Sequence, residues 1–250
     1  MSSFSPIERT SVATAVFEQI AARILDGTLP VGGRLPAERA LTEEFGVNRQ
    51  ALREALQRLD QLGLVEIRHG GATRVRDFRR TAGLDVLPRL FLGADGGVDA
   101  TIVRSVMEMR TAIGADAASL AAGRASAEAR AGLRGVLADL EALVAGGADD
   151  SAGLAAVDVR FWDLLVEASG NVCYRLSLNV LLDAYRPAEA LVDLLLVGER
   201  RDAPAHRALV DAVEAGDGER ARARAAALLD QGRAAVLAHF SADPPEEDPT

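Results

Sequence analysis

The sequence contains one cysteine, no lysine and only 4% aromatic residues over 250 positions. The single Cys173 excludes an internal disulfide framework and any multi-cysteine metal site, and it is expected to be an inert core thiol. No stretch approaches the ~20 consecutive apolar residues of a membrane span, so no membrane partner is expected. The start, MSSFSPIERT, is polar and contains an acid, unlike the apolar core of a secretion signal, which makes the cytoplasm the expected compartment. All 28 basic residues are arginine, a bias from which no functional conclusion follows.

What is present is a globular composition, 49% hydrophobic and 26% charged, long enough for two domains that each bury a core. The net charge of -9 is unevenly spread. Residues 1–80 hold 12 Arg against 10 acids, whereas residues 81–250 hold 16 Arg against 27 acids. The first third can therefore face phosphate while the remainder repels it.

Apolar residues at helical spacing in 10–26 predict a first amphipathic helix, ended by Gly27. GTLPVGGRLPAER reads as an extended turn, with Pro36 suited to the first position of a second helix over about 36–45. After Gly46, Asn48 caps or opens a third helix over about 48–62 that buries Leu52, Ala55, Leu56, Leu59 and Leu62. LVEIR and ATRVRD then read as two short strands about the turn His69-Gly70-Gly71. The expected fold is mainly α. A winged helix-turn-helix with a small β-hairpin wing spans 1–77, and a linker with a connecting helix spans 78–100. A bundle of six or seven helices spans 101–240, and a disordered acidic tail spans 241–250.

On the third helix, Arg49 and Arg53 lie four apart, with Asn48 and Gln50 at its N-terminal end, opposite the leucines. Arginine suits guanine, and Asn or Gln suits adenine, when the N-terminal end of such a helix enters the major groove. Arg39 is placed to pin a phosphate or a base, and His69-Gly70 at the hairpin tip to approach the minor groove or backbone. The bland alternative has Arg49 and Arg53 pairing with Glu43, Glu54 or Gln57 on a solvated face, and the tip forming a plain turn. LPAER, GVNRQALREALQRL and HGG, in that order, resemble the winged helix of the GntR family of bacterial regulators. That resemblance implies that Arg39, Asn48, Arg49, Gln50, Arg53, His69 and Gly70 contact double-stranded operator DNA, and that a homodimer binds a palindromic site.

VMEMRTAIGADAASLAA, VDVRFWDLLVEASGN and AHRALVDAVEAGDGERA are similar to the FadR subfamily, whose helical domain binds an effector. VRDFRRTAGLDVL and RTAI look closest to its fatty-acid-responsive members. Many bundles of that subfamily hold a divalent metal through one Asp and three His. Asp158 and His206 match two of these positions, but Trp162 and Leu228 stand at the others and donate no lone pair to a metal. His239 lies eleven residues beyond Leu228, roughly 16 Å along a helix. No metal or other cofactor is therefore expected.

An apolar effector such as a fatty acyl-CoA suits a cavity enlarged in apolar surface by Trp162 and Leu228, and a filled core is the alternative. The resemblance turns Arg110 inward, to pair with an effector head group or with Asp116 or Asp158. Asn171 and Tyr185 complete the candidate effector residues, with helix capping the alternative for Asn171. Two further readings stay open: a polar organic, sugar or amino acid as effector, and an enzyme in the helical domain. Against the latter, neither His206 nor Cys173 has a visible catalytic partner.

Overall fold

The computed structural model describes residues 11–68, 72–91, 97–147 and 150–241, so the expected wing tip at His69-Gly70 and all of the acidic tail except Ser241 lie outside the described residues. Internal contacts separate two compact units, divided between Gly97 and Val98. Both are dominated by helix, with one small sheet in the first.

In the first unit, Ser11 caps α1 (Val12–Leu25) by accepting from the Thr14 amide, and α1 buries Val16, Phe17, Ile20 and Ile24. The second helix, α2 (Glu38–Phe45), starts two residues later than Pro36 suggests. Ala37 remains extended at φ −58° and ψ 145°, so Pro36 precedes the cap instead of opening the first turn. Gly46 then ends α2 in the left-handed conformation at φ 63°. Asn48 caps α3 (Arg49–Gln61), its Oδ1 accepting from the Ala51 amide at 2.8 Å. The face of α3 carrying Leu52, Ala55, Leu56 and Leu59 is buried against α1 and its neighbours.

The wing strands are shorter than expected, β1 (Val65–Glu66) and β2 (Arg74–Val75), antiparallel with Val65 opposite Val75. A third extended segment joins them. Arg34 bridges to Arg74, Leu35 donates to the Thr73 carbonyl at 2.9 Å, and Val75 donates to the Gly33 carbonyl at 2.9 Å. The glycine-rich stretch read as a turn thus also covers an edge of the wing.

After the wing come α4 (Phe78–Thr81), a 3-10 turn (Leu84–Val86) and α5 (Leu87–Leu90). Val86 is buried in the winged-helix core, with Phe78, Ala82 and Leu90 packed against it. The segment therefore completes that core as well as leading away from it. The Thr81 hydroxyl donates to the Gly63 carbonyl at 2.6 Å, locking the segment to the end of α3.

The second unit has seven α-helices among its described residues: α6 (Ala100–Arg124), α7 (Ala127–Ala145), α8 (Ser151–Ala168), α9 (Val172–Tyr185), α10 (Glu189–Arg201), α11 (Ala203–Glu214) and α12 (Gly218–Ser241). Asp99, Ser126, Asp150, Asn171 and Asp202 each cap a helix with a side-chain oxygen. The long helices α6 and α12 pack along each other because small residues face inward, among them Ala118, Ala121, Ala221 and Ala225. No helix among the described residues is long and apolar enough to cross a membrane.

Gly63 has φ +72°, and a Cβ there would lie 2.3 Å from the Thr81 carbonyl oxygen. Gly63→Ala combines left-handed strain with a backbone clash, and the expected loss is about 2–4 kcal/mol of winged-helix stability, read by urea denaturation.

Candidate DNA interface and ligand cavity

The polar face of α3 stands clear of the first core. Arg49 and Gln50 occupy its first turn and are exposed, as are Arg39 on α2 and Arg53 one turn further along α3. Arg53 Nε donates to Glu38 at 3.0 Å, and Arg39 Nε donates to Glu43 at 3.0 Å. Arg53 thus does not pair with any of the three residues the bland reading offered. Exposed pairs of this kind are worth ~0–1 kcal/mol, so either arginine can exchange its carboxylate for a phosphate or base edge at little cost.

Asn48 is the cap of α3 as well as a candidate DNA contact. Its Oδ1 is already committed to the Ala51 amide as the cap of α3, so it cannot make a two-bond contact with adenine without uncapping the helix. Its amide nitrogen retains donor capacity toward a phosphate.

The second unit contains a cavity of 710 Å³, within the ~300–1,000 Å³ of small-molecule sites. Ile113, Val166, Leu181, Leu196 and Leu229 give it an apolar wall drawn from α6, α8, α9, α10 and α12. Arg110, Asp158, Trp162 and Tyr185 also line it, whereas Asn171 and His206 lie outside that wall. Asn171 accepts from the Cys173 and Tyr174 amides as the cap of α9. His206 is buried edge-on to Phe161, with a centroid distance of 4.9 Å. Cys173, expected in the core, is exposed in the first turn of α9, because that turn presents little of itself to the bundle.

Arg110 does not pair with Asp116 or Asp158. Its guanidinium donates to both carboxylate oxygens of Glu199, at 2.9 and 2.5 Å, and Glu199 is 1% exposed. Next to Glu199, Arg200 reaches Asp193 at 2.6 Å and Asp158 at 3.4 Å. Burial pushes the Glu199 carboxyl up, against the pull of Arg110. Burial likewise opposes the charge on Arg110, yet Glu199 holds its pKa above the ordinary value. The Tyr185 phenol, pushed up by burial to about 12, stays neutral in ordinary buffers. Glu199, Arg200 and Asp193 were not singled out from the sequence, because no motif marks them and the partner of Glu199 lies 89 positions away. The spacing of Asp193 and Arg200, two turns apart on one face, was the available signal.

This donor set does not fit a metal. Asp158 Oδ2 already faces the Arg200 cation, Trp162 offers only an N–H, and Leu228 offers neither donor nor lone pair. His206 Nδ1 lies 2.9 Å from the Asp202 carbonyl, which leaves Nε2 as the one imidazole ligand.

Two family models match the sequence: "Bacterial regulatory proteins, gntR family" over residues 12–75 and "FCD domain" over residues 105–231. The HTH-type transcriptional regulator Mce2R of Mycobacterium tuberculosis is 40% identical over 233 residues, covering 93% of this chain and 95% of that one. A protein of Edwardsiella ictaluri named fatty acid metabolism regulator protein is 36% identical over 182 residues, covering 72% of this chain and 71% of that one. Among solved structures, Lar, described as controlling the Listeria monocytogenes agr system, superposes with a TM-score of 0.54 at 17% identity. It covers 92% of this chain and 98% of that one, a likeness of fold.

Replacing Arg110 alone with Met leaves Glu199 buried without its cation, and the expected loss is about 3–5 kcal/mol. Adding Glu199→Met to Arg110→Met should restore much of that stability, which a double-mutant cycle by urea denaturation measures.

Proposed function

This chain belongs to the GntR family of bacterial regulatory proteins, and on that premise we propose that its DNA affinity is set by a hydrophobic metabolite bound in the helical unit. It is a DNA-binding transcriptional regulator carrying an FCD domain. In the proposed complex, Arg49, Gln50 and Arg53 read base edges from the major groove, Arg39 and the Asn48 amide hold phosphate, and His69-Gly70 at the wing meets the backbone or minor groove. The protein acts in the cytoplasm as a homodimer on a palindromic operator.

The observation that carries the effector reading is the 710 Å³ cavity with its apolar wall. Its size and lining suit an alkyl or acyl chain. Fatty acyl-CoA is the candidate that the subfamily resemblance supplies, and the name of the Edwardsiella ictaluri relative points the same way. A small polar acid fits less well, because both arginines at the buried part of the wall are already matched by carboxylates. By name the relatives are transcriptional regulators, and enzymatic activity forms no part of this reading.

Binding to the promoter region of its own gene, followed by anisotropy at fixed salt, tests both halves. Arg49→Ala with Arg53→Ala should weaken binding by about 2–6 kcal/mol, at ~1–3 kcal/mol per base contact, and flatten the salt dependence. A long-chain acyl-CoA should change wild-type affinity, and small carboxylates should not. Unchanged binding by the double variant defeats the recognition-helix assignment, and a response to small carboxylates alone defeats the hydrophobic-effector assignment.

A further inference from the structure

In the small sheet of the first unit, β2 lies between β1 and the extended segment around Arg34. Leu35, Val65 and Val75 turn into the core, and the alternation of an extended chain sends their neighbours to the other face. That outer face carries a row across the sheet, Glu66, Arg74 and Arg34. Two exposed arginines extend it along the strands: Arg76, two residues beyond Arg74, and Arg68, which pairs with Glu66 at 2.9 Å.

Leu35 donates to the Thr73 carbonyl and Val75 to the Gly33 carbonyl, so Arg34 and Arg74 face each other in the non-hydrogen-bonded position of an antiparallel pair. In that position Cα atoms stand about 4.5 Å apart and side chains are close. Like charges placed opposite one another destabilise a sheet. The carboxylate of the row, Glu66, is engaged by Arg68. Arg34, Arg74 and Arg76 make no ion pair and no side-chain hydrogen bond among the described residues. Residues 1–80 hold 12 Arg against 10 acids, yet this one face holds four arginines and one acid among the described residues.

A patch of unbalanced cations that costs the free protein stability is matched by a polyanion. Arg68 immediately precedes His69, and Arg74 stands three residues beyond Gly71, at most roughly 10 Å of extended chain. Duplex DNA carries one charge per ~1.7 Å of its axis, and exposed charges act over ~8–10 Å at physiological salt. A wing whose tip rests on DNA therefore brings this face into the field of the phosphates.

We propose that the outer face of the wing is a phosphate clamp, in which Arg34, Arg74 and Arg76 hold the DNA backbone beside the bases read by α3. The proposal rests on the DNA-interface reading above and adds to it a surface drawn from β2 and from the segment before α2. The clamp carries no sequence information. It strengthens binding to every duplex alike, while Arg49, Gln50 and Arg53 supply the preference.

The test uses the full-length protein with Arg34→Gln, Arg74→Gln and Arg76→Gln combined, beside wild type and the Arg49→Ala, Arg53→Ala variant. Anisotropy is followed from 50 to 200 mM salt on the promoter fragment and on an unrelated duplex of equal length. The triple variant is expected to bind both duplexes about tenfold or more weakly at 0.1 M salt, by a common factor. The slope of log affinity against log salt should shrink by about two to three. Arg34→Lys, Arg74→Lys and Arg76→Lys combined should restore the slope, because a phosphate accepts either cation. The α3 variant should instead lose its preference for the promoter fragment, so that failure of either reading shows separately. The urea midpoint of the triple variant should be unchanged or higher, since facing charges are removed. Unchanged affinity and slope overturn the proposal, as does a loss confined to the promoter fragment, which would make these arginines base readers. A lowered urea midpoint accompanying the weaker binding overturns it by making them structural. Lost binding to phosphatidylserine vesicles with DNA binding intact overturns it in favour of a lipid surface.

Discussion

A guanidinium buried among helices has to meet a carboxylate, and in the helical unit this requirement joins α6 to α10 through Arg110 and Glu199. The pair also constrains the neighbouring helix. At Gly232 on α12, an added Cβ would lie 2.1 Å from a Glu199 carboxylate oxygen and 2.6 Å from Leu196. Glycine is required there because α10 carries its carboxylate against the α12 backbone. Gly114 on α6 meets a similar demand, since a Cβ there would lie 2.5 Å from Leu229 and 3.3 Å from the Trp162 ring. The cavity thus exists beside closely packed helices, with its polar groups held in place by a pair that is expensive to break and not by flexible surface contacts.

Arginine does opposite work in the two units. On α2 and α3 it sits in water, held by single exposed carboxylates that compete weakly with a polyanion. In the helical unit Arg110 and Arg200 are dry and matched, so they hold shape and leave little attraction for an incoming anion. Net charge follows the same division, with the surplus of acids lying beyond residue 80. DNA is therefore drawn toward the winged helix and away from the rest of the chain.

The winged helix was readable because its signals are local. Asn48 caps α3, Leu52, Leu56 and Leu59 are buried while Leu62 at the C-cap is only partly so, and Gly46 turns the chain. What escaped the sequence depended on partners far along the chain. Leu35 bonds to Thr73 across the wing, and Arg110 bonds to Glu199 across 89 positions. Periodicity says which face of a helix is buried but not which charge waits there, so the sequence offers Arg110 the carboxylates of Asp116 and Asp158 where the fold supplies Glu199. The exposed Cys173 is a similar case: α9 buries Leu181 and Ala184 near its C-terminal end while its first turn stays in solvent. Asn171 has its capping oxygen turned to the amides of α9, which explains why a polar residue at a suggestive position does not line the cavity.

A ligand in the helical unit alters DNA affinity only if it binds the DNA-competent and DNA-incompetent states unequally, and thermodynamics makes that effect mutual. The central claim, that one cavity in the second unit governs the winged helix of the first, is tested most directly by calorimetry of an alkyl-chain ligand. Its affinity is measured for the free protein and for the protein saturated with operator. The account predicts that operator changes ligand affinity by the same factor by which ligand changes operator affinity, a coupling of ~1–3 kcal/mol. Equal ligand affinity in the two forms would show the cavity and the DNA interface to be independent, and would contradict the account.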